Sequence, residues 1–383
     1  MKITGATIHC LKIPFNFSFG HFLKTRSFLD SIVVELTSEN GVRGYGEGVA
    51  RPYVTGETLK KSIKHIQTVL LPAVMHRTFD DIDTGPRSYK SLSHIYKSLP
   101  DTSDRKIVAW NASKAAVEIA LIDCLLKNQQ QSLGSVIPPK SNSVTYSAIL
   151  SSGNLKSTVE LAERAHKIGF RYVKIKVGRL HDHERIAAVR DIMGQQVSIR
   201  LDANGAFTVK NALKFIEAVE KYGIDSLEQP VKRGDVKNFA AVKADSPIPI
   251  MADESIVTPE DAACLIENDA CDYFNLRVSK CGGIYNTLAI ADTAERAGIK
   301  IQLGSMAGET AILSTAGRHI AAYLPDTKFV EGSAGTYLLS EDIAEEDVMF
   351  GQGGEAPILT GNGLGIHVLQ EQLKKYTVKL ISV

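Results

Sequence analysis

Two lysines, Lys174 and Lys176 in Tyr172-Val-Lys-Ile-Lys-Val177, are the first residues whose spacing could do chemistry. Positions i and i+2 of a strand share a face, so both ammoniums point the same way. Like charges that close disfavour each other's protonated forms and lower a lysine pKa. A lysine tuned in this way can serve as a general base. Alone, Lys-x-Lys is more often a solvated strand edge. Three acids follow: Asp202 in Leu201-Asp-Ala-Asn-Gly, Glu228 in Leu227-Glu-Gln-Pro and Asp253 in Met251-Ala-Asp-Glu-Ser. The intervals are 26 and 25 residues, one strand-helix unit each. Any one of these acids could cap the helix after its strand. As a set in register they predict three carboxylates at equivalent ends of neighbouring strands. Unpaired, they would repel and take up protons. A hard divalent cation resolves this, and Mg²⁺ is bound through carboxylates, waters and substrate oxygens. Mn²⁺ is the alternative. Lys280, in Asn275-Leu-Arg-Val-Ser-Lys280-Cys-Gly-Gly, lies four strands beyond Lys176. In an eight-stranded barrel that is half-way round. A metal between opposed lysines suits removal of a proton α to a carboxylate, one lysine on each face of the carbon.

These residues need a scaffold that brings strand ends together. From Val144 onward, short apolar runs alternate with amphipathic segments. The strands are expected at Val144–Leu150, Tyr172–Val177, Ser198–Asp202, Ser226–Glu228, Ile248–Ala252, Tyr273–Leu276, Lys300–Leu303 and Lys328–Val330. Helical patterns separate them. Eight strands with seven intervening helices predict a modified (β/α)7β TIM barrel over 136–349, whose active residues gather at the C-terminal strand ends. Residues 1–135 read as an α+β capping domain. Ile8-His-Cys10 and Leu11-Lys-Ile13 alternate with a slip of phase between them. Ser31–Thr37 reads as a strand, Asn40-Gly41 as a hairpin turn, and Gly44-Tyr-Gly-Glu-Gly48 as the end of the returning strand. Thr58–Leu71 and Asn111–Lys127 have helical spacing. The segment 350–383 is expected to return to the capping domain as strands.

Composition narrows the partners. Among 383 residues, 44 Lys plus Arg stand against 43 Asp plus Glu, so no global field favours nucleic acid or an anionic membrane. Five cysteines, an odd number without a CxxC, argue against a disulfide framework or structural zinc and for a cytoplasmic protein. The N-terminus lacks the apolar run of a signal peptide, and no stretch of about 18 apolar residues occurs. A small-molecule carboxylate is the expected partner.

The set Lys174-x-Lys176, Asp202, Glu228, Asp253 and Lys280, beside Gly44-Tyr-Gly-Glu47, resembles the enolase superfamily, and within it the mandelate racemase/muconate lactonising enzyme family. The resemblance runs from about residue 3 to Gly363-Leu-Gly-Ile. It implies that Asp202, Glu228 and Asp253 bind Mg²⁺, that Lys176 and Lys280 are the acid/base pair, and that Lys174 supports Lys176. It implies supporting roles behind the ligands for Asn204 and Glu254, and a homo-oligomer. It also implies closure by two cap loops, here Phe15–Phe22 and Arg51–Gly56, which bring in Phe19, His21 and Tyr53 as candidate substrate contacts. Phe15, Phe17 and Phe19 alternate, and can equally fill the cap's own core. Arg277 either points outward or supplies charge behind the site. Two stretches depart from the family's pattern. Met306-Ala-Gly-Glu309 is one residue longer than the usual Met-x-Glu, so Glu309 either reaches the substrate or caps the next helix. Val330-Glu-Gly-Ser-Ala replaces the Asp-x-Asp of many dipeptide epimerases, leaving Glu331 as the acid that could serve a cation. Tyr337–Ile343 is closer to the muconate cycloisomerases.

The expected reaction is racemisation, epimerisation or cycloisomerisation of an amino-acid derivative or a muconate-like acid, with syn-elimination of water as the alternative. A Schiff-base lysine barrel or a non-catalytic binding barrel would leave the aligned carboxylates without a purpose. No histidine falls at the motif's strand ends; His181, His183 and His319 lie on helices or loops.

Overall fold

The computed structural model describes residues 1–21, 24–85, 88–101, 107–151, 153–179, 181–325 and 327–383, except the side chains at 19, 21, 24, 25 and 88. Three N-terminal strands, β1 (Ile3–His21), β2 (Lys24–Ser38) and β3 (Arg43–Gly48), form an antiparallel meander. Gly41 takes a positive φ of 76° in the tight turn between β2 and β3. The buried helix α1 (Asn111–Asn128) packs on β3. Glycine permits that approach. A Cβ on Gly44, Gly46 or Gly48 would stand 2.3, 2.2 or 2.0 Å from the carbonyl oxygen of Ala120, Ala116 or Ala112. Each glycine of the alternating row thus lies beneath one helical turn.

The barrel strands follow: β4 (Ala148–Leu150), β5 (Tyr172–Lys176), β6 (Ser198–Asp202), β7 (Ile224–Glu228), β8 (Ile250–Ala252), β9 (Tyr273–Leu276), β10 (Lys300–Leu303) and β11 (Phe329–Val330). They form one parallel sheet in sequence order. A parallel bridge between Tyr146 and Val330 brings the first and last staves together. The helices between them include α2 (Leu155–Ile168), α3 (Asp182–Met193), α4 (Val209–Val219), α5 (Val236–Ala244), α6 (Pro259–Glu267), α7 (Ile284–Arg296) and α8 (Ala311–Tyr323). Their apolar faces join the strands' outward faces in one core. This is the TIM barrel with a capping sheet that the periodicity predicts. The last strand, β12 (Thr377–Ser382), pairs antiparallel with β1 and becomes the fourth strand of the cap. Its register jumps between Cys10 and Leu11, where the sequence pattern slips phase.

The expected run Val144–Leu150 is two pieces. Ser143–Thr145 pairs with Glu355–Pro357, and only Ala148–Leu150 joins the barrel sheet. The first expected cap loop is largely strand: β1 continues through His21, and five residue steps from Pro14 to Phe19 run against two of β2. The extra residues bulge out and bring Phe17 and Ser18 to the cavity described below. Among the described residues, no helix is long and apolar enough to cross a membrane.

Candidate active site

Strand pairing places the chemistry. Lys176 stands opposite Asp202, Asp202 opposite Glu228, and Glu228 opposite Met251, two residues before Asp253. Val173 and Ile175, alternating with the lysines, are fully buried in the outer core. Lys174 and Lys176 therefore face inward beside a row of acids.

The row is tightly paired. Lys176 Nζ donates to Asp202 Oδ2 at 2.5 Å and to Asn204 Oδ1 at 3.2 Å. Lys174 Nζ is 3.1 Å from Asp202 Oδ2, 2.8 Å from Glu228 Oε2 and 3.0 Å from Glu331 Oε1. At the far end, Lys280 Nζ donates to Asp253 Oδ1 (2.9 Å) and to the carbonyls of Asp253 and Asn275 (both 2.6 Å). Arg277 also bonds Asp253 and lies 3.8 Å from Glu228. Asn275 Nδ2 donates to Glu228 at 2.8 Å. Lys280 itself does not end the sixth strand; that strand stops at Leu276 and Lys280 sits on the short helix Val278–Cys281.

Electrostatics follow from burial and neighbours. Desolvation disfavours the Lys174 ammonium, yet Asp202, Glu228 and Glu331 together carry its pKa above the ordinary lysine value. The expectation that paired lysines depress each other's pKa fails for Lys174, because three carboxylates outweigh burial and the Arg277 charge. Burial opposes ionisation of Asp202, but Lys174 and Lys176 hold its pKa well below the carboxylate range. Asp253 is lowered by Arg277 and Lys280 against the same burial cost. Glu228 is pushed up to about 8, by burial first and then by Asp202, Asp253 and Glu331, with Lys174 opposing. Three carboxylates share Lys174, and burial with the neighbouring acids disfavours the charge on Glu228.

Among the described residues, no three Asp, Glu, His or Cys side chains gather as a ready metal cage. The acids turn instead to lysine and arginine. Their chemistry still fits a hard divalent cation: the donors are all carboxylate oxygens, and burial together with Asp202, Asp253 and Glu331 disfavours an uncompensated charge on Glu228. Beside them, buried Glu254 leaves Oε2 without a partner.

A cavity of about 330 Å³ opens over this row, lined by Lys174, Lys176, Asn204, Glu254, Arg277 and residues of the cap. Asn204 Nδ2 donates to Glu254 Oε1 at 3.1 Å. Arg277 is 9% exposed and so points inward. Glu309 answers both of its readings: it lines the cavity, and it accepts from the Met306 N–H at 3.0 Å and the Ser314 hydroxyl at 3.5 Å near the start of α8. Burial pushes its pKa up to about 8. Glu331 lines the cavity but is spent on Lys174 and on Arg200, whose Nη1 lies 3.0 Å away. Tyr53 lines the cavity. The side chains of Phe19 and His21 lie outside the described residues, as does Phe22. His319 is buried with Nε2 3.2 Å from the Leu364 carbonyl and is not part of the lining.

Sequence reasoning missed Arg200 and Arg51. Arg200 precedes Asp202 by two residues on β6, so face parity marks it as inward. It bonds Glu331, Gln302 and Ser147. Arg51 lies in the second cap loop, lines the cavity and is 1% exposed. Its Nη1 bonds Asp30 and the Ala50 carbonyl, while Nη2 has no partner among the described residues.

Comparison with known proteins gives this architecture a lineage. Residues 6–137 match the mandelate racemase/muconate lactonizing enzyme N-terminal domain, and 157–372 match the enolase C-terminal domain-like family. The N-succinyl-L-Arg/Lys racemase of Bacillus cereus is 31% identical over 99% of this chain and 98% of its own. A crystal structure of that racemase superposes with a TM-score of 0.90 over 100% of both chains, at 29% identity. The hydrophobic dipeptide epimerase of Enterococcus faecalis is 34% identical over 84% of this chain and 87% of its own. A dipeptide epimerase structure from that organism, with Mg and L-Leu-L-Tyr bound, has a TM-score of 0.84 at 32% identity, covering 96% of this chain and 99% of that one. Muconate cycloisomerase 1 of Rhodococcus opacus is 27% identical over 90% of each chain. All these relatives are isomerases by name. The chain belongs to the mandelate racemase/muconate lactonizing enzyme group of the enolase superfamily.

Proposed function

We propose that this member of the enolase superfamily racemises or epimerises a small carboxylate by moving the proton on the carbon α to it. One observation carries the reading: Lys176 and Lys280 bond the two ends of one acid row, Asp202 and Asp253, from positions four strands apart. Lys176 Nζ, when neutral, takes the α-proton from one face, and the C–H electron pair passes into the substrate carboxylate. Lys280 Nζ gives a proton to the opposite face as the pair returns to carbon. The reverse reaction exchanges their roles. Lys174 stays an ammonium among Asp202, Glu228 and Glu331, and holds the row that Lys176 leans on. Asn204 and Glu254 orient Lys176. Asp202, Glu228 and Asp253 would hold Mg²⁺, with Mn²⁺ as a substitute, and its charge would stabilise electron density on the substrate carboxylate. The cap over 1–135, joined by 350–383, closes the site of the barrel over 136–349.

The substrate in this reading is an N-acylated amino acid. Glu331, the acid nearest the place of the missing Asp-x-Asp, is paired with Lys174 and Arg200 instead of being left for a dipeptide ammonium. The unpartnered Nη2 of Arg51 suits an anionic acyl end. Cycloisomerisation of a muconate is the second reading, supported by the Rhodococcus relative. The test is incubation in D₂O with Mg²⁺ and a panel of N-succinyl amino acids, dipeptides, betaines and muconates, followed by mass spectrometry. Deuterium at the α-carbon of N-succinyl amino acids is expected. Exchange confined to dipeptides would overturn the substrate class, and exchange with none would overturn the reaction.

A further inference from the structure

Lys280 is held by the capping domain as well as by the barrel. Asn111, at the start of α1, donates from Nδ2 to the Lys280 carbonyl at 2.7 Å and to the Val257 carbonyl at 2.9 Å. Two turns along the same helix, Glu118 accepts from the Ile284 N–H at 2.6 Å and the Tyr285 N–H at 2.9 Å. Three of these four contacts are buried, and the Tyr285 one is partly so. The residues between them leave no room for play. Gly282 and Gly283 have φ of 92° and 121°, and a Cβ there would come 2.9 Å from Asn111 Oδ1 and 2.0 Å from Glu118 Oε2. Ser279 Oγ accepts from the Val49 N–H of the cap at 2.9 Å, next to the same segment. No comparable cap contact to β5 is found among the hydrogen bonds of Lys174 and Lys176.

We infer that Asn111 and Glu118 are positioning residues for Lys280: helix α1 sets where that lysine stands relative to the substrate's α-carbon, while the side-chain partners of Lys176 among the described residues all come from the barrel. The inference rests on the two-lysine reading above. It predicts a defect on one face only. A shift of about 1 Å in a reacting group can cost about a hundredfold, so loss of either grip should slow proton exchange on the Lys280 face about tenfold or more. Exchange on the Lys176 face should stay within about twofold, well below that positional penalty.

The experiment uses the full chain with saturating Mg²⁺ in D₂O. Its probes are the two enantiomers of the N-succinyl amino acid that exchanges fastest in the unmodified enzyme, or the two epimers of the fastest dipeptide if only dipeptides exchange. Asn111→Ser and Glu118→Gln are compared with Lys176→Ala and Lys280→Ala by following α-proton loss for each stereoisomer. Asn111→Ser and Glu118→Gln should lose exchange of the stereoisomer that Lys280→Ala loses, and keep the other. Equal loss for both stereoisomers, no loss, or failure of both variants to fold would each assign Asn111 and Glu118 to stability rather than to placement of Lys280. If the two lysine variants fail to prefer opposite stereoisomers, or no probe exchanges, the two-lysine reading falls and takes the inference with it.

Discussion

The two lysines of the site live in different surroundings. Lys176 is on a strand, 7% exposed, and lines the cavity with two side-chain partners. Lys280 is on a one-turn helix, 1% exposed, with three acceptors, two of them backbone carbonyls, and a cap helix gripping its segment. One arm is poised at the cavity and held by side chains. The other is fixed mainly by backbone. The proposed two-face reaction would thus rest on two lysines of different construction.

The bluntest way to break the comparison is to remove what both arms share. Chelation is expected to abolish exchange on both faces, with Mg²⁺ or Mn²⁺ restoring it; full activity after verified metal removal would discard the metal site. Asp253→Asn should weaken metal binding as measured by calorimetry. Next come the lysines. Lys176→Ala and Lys280→Ala should each stop net racemisation, a loss of about 10²–10⁴ typical of an acid/base group. Residual exchange should survive for opposite enantiomers. Retention of the same enantiomer by both variants would contradict the two-face assignment.

A third measurement addresses the strand arm only. Glu331→Leu removes one of the three acids around Lys174 and leaves Arg200 underpaired. Breaking a buried pair from one side costs about 3–5 kcal/mol. Denaturant titration should show a loss of that order, and an unchanged midpoint would mean the network carries no such energy. The smallest effect lies outside both arms. Burial lowers the His319 pKa to about 4. The folded chain favours the neutral ring, so its stabilisation is present above about 6.5, the ordinary histidine value, and is lost as pH falls from there toward 4. His319→Gln should flatten this acid-side loss, worth up to about 3 kcal/mol. Its kcat at pH 8 should stay within a few-fold, and a hundredfold drop in a folded variant would bring histidine into the mechanism.

Much of this was legible in the residues because the signals were periodic. Spacings of 26 and 25 residues place Asp202, Glu228 and Asp253 on successive strands, and the barrel's order follows from alternation of apolar runs and amphipathic helices. The phase slip at Cys10–Leu11 is a real irregularity of register. What stayed hidden depends on who meets whom across the fold. No local pattern tells that Glu331 spends its charge on Lys174 and Arg200, or that Glu118, unremarkable within an apolar helix, caps α7 from another layer. The sign of the Lys174 shift was misread for the same reason: the like charge two residues away is visible in sequence, and the three opposing charges are not.

The pairing of β1 with β12 bears on how the chain is made. Thr7 meets Ser382, so β1 finds its outer neighbour only once β12 has been made. Every barrel strand is synthesised in between. The cap can assemble β1, β2, β3 and α1 early through near contacts, but its sheet keeps an open edge until β12 follows the barrel, a state prone to pairing with other chains. Closing that edge joins Thr7 to Ser382 across every barrel strand, the kind of distant contact that slows folding. Completion of the cap's sheet is therefore a late event that follows synthesis of the barrel it covers.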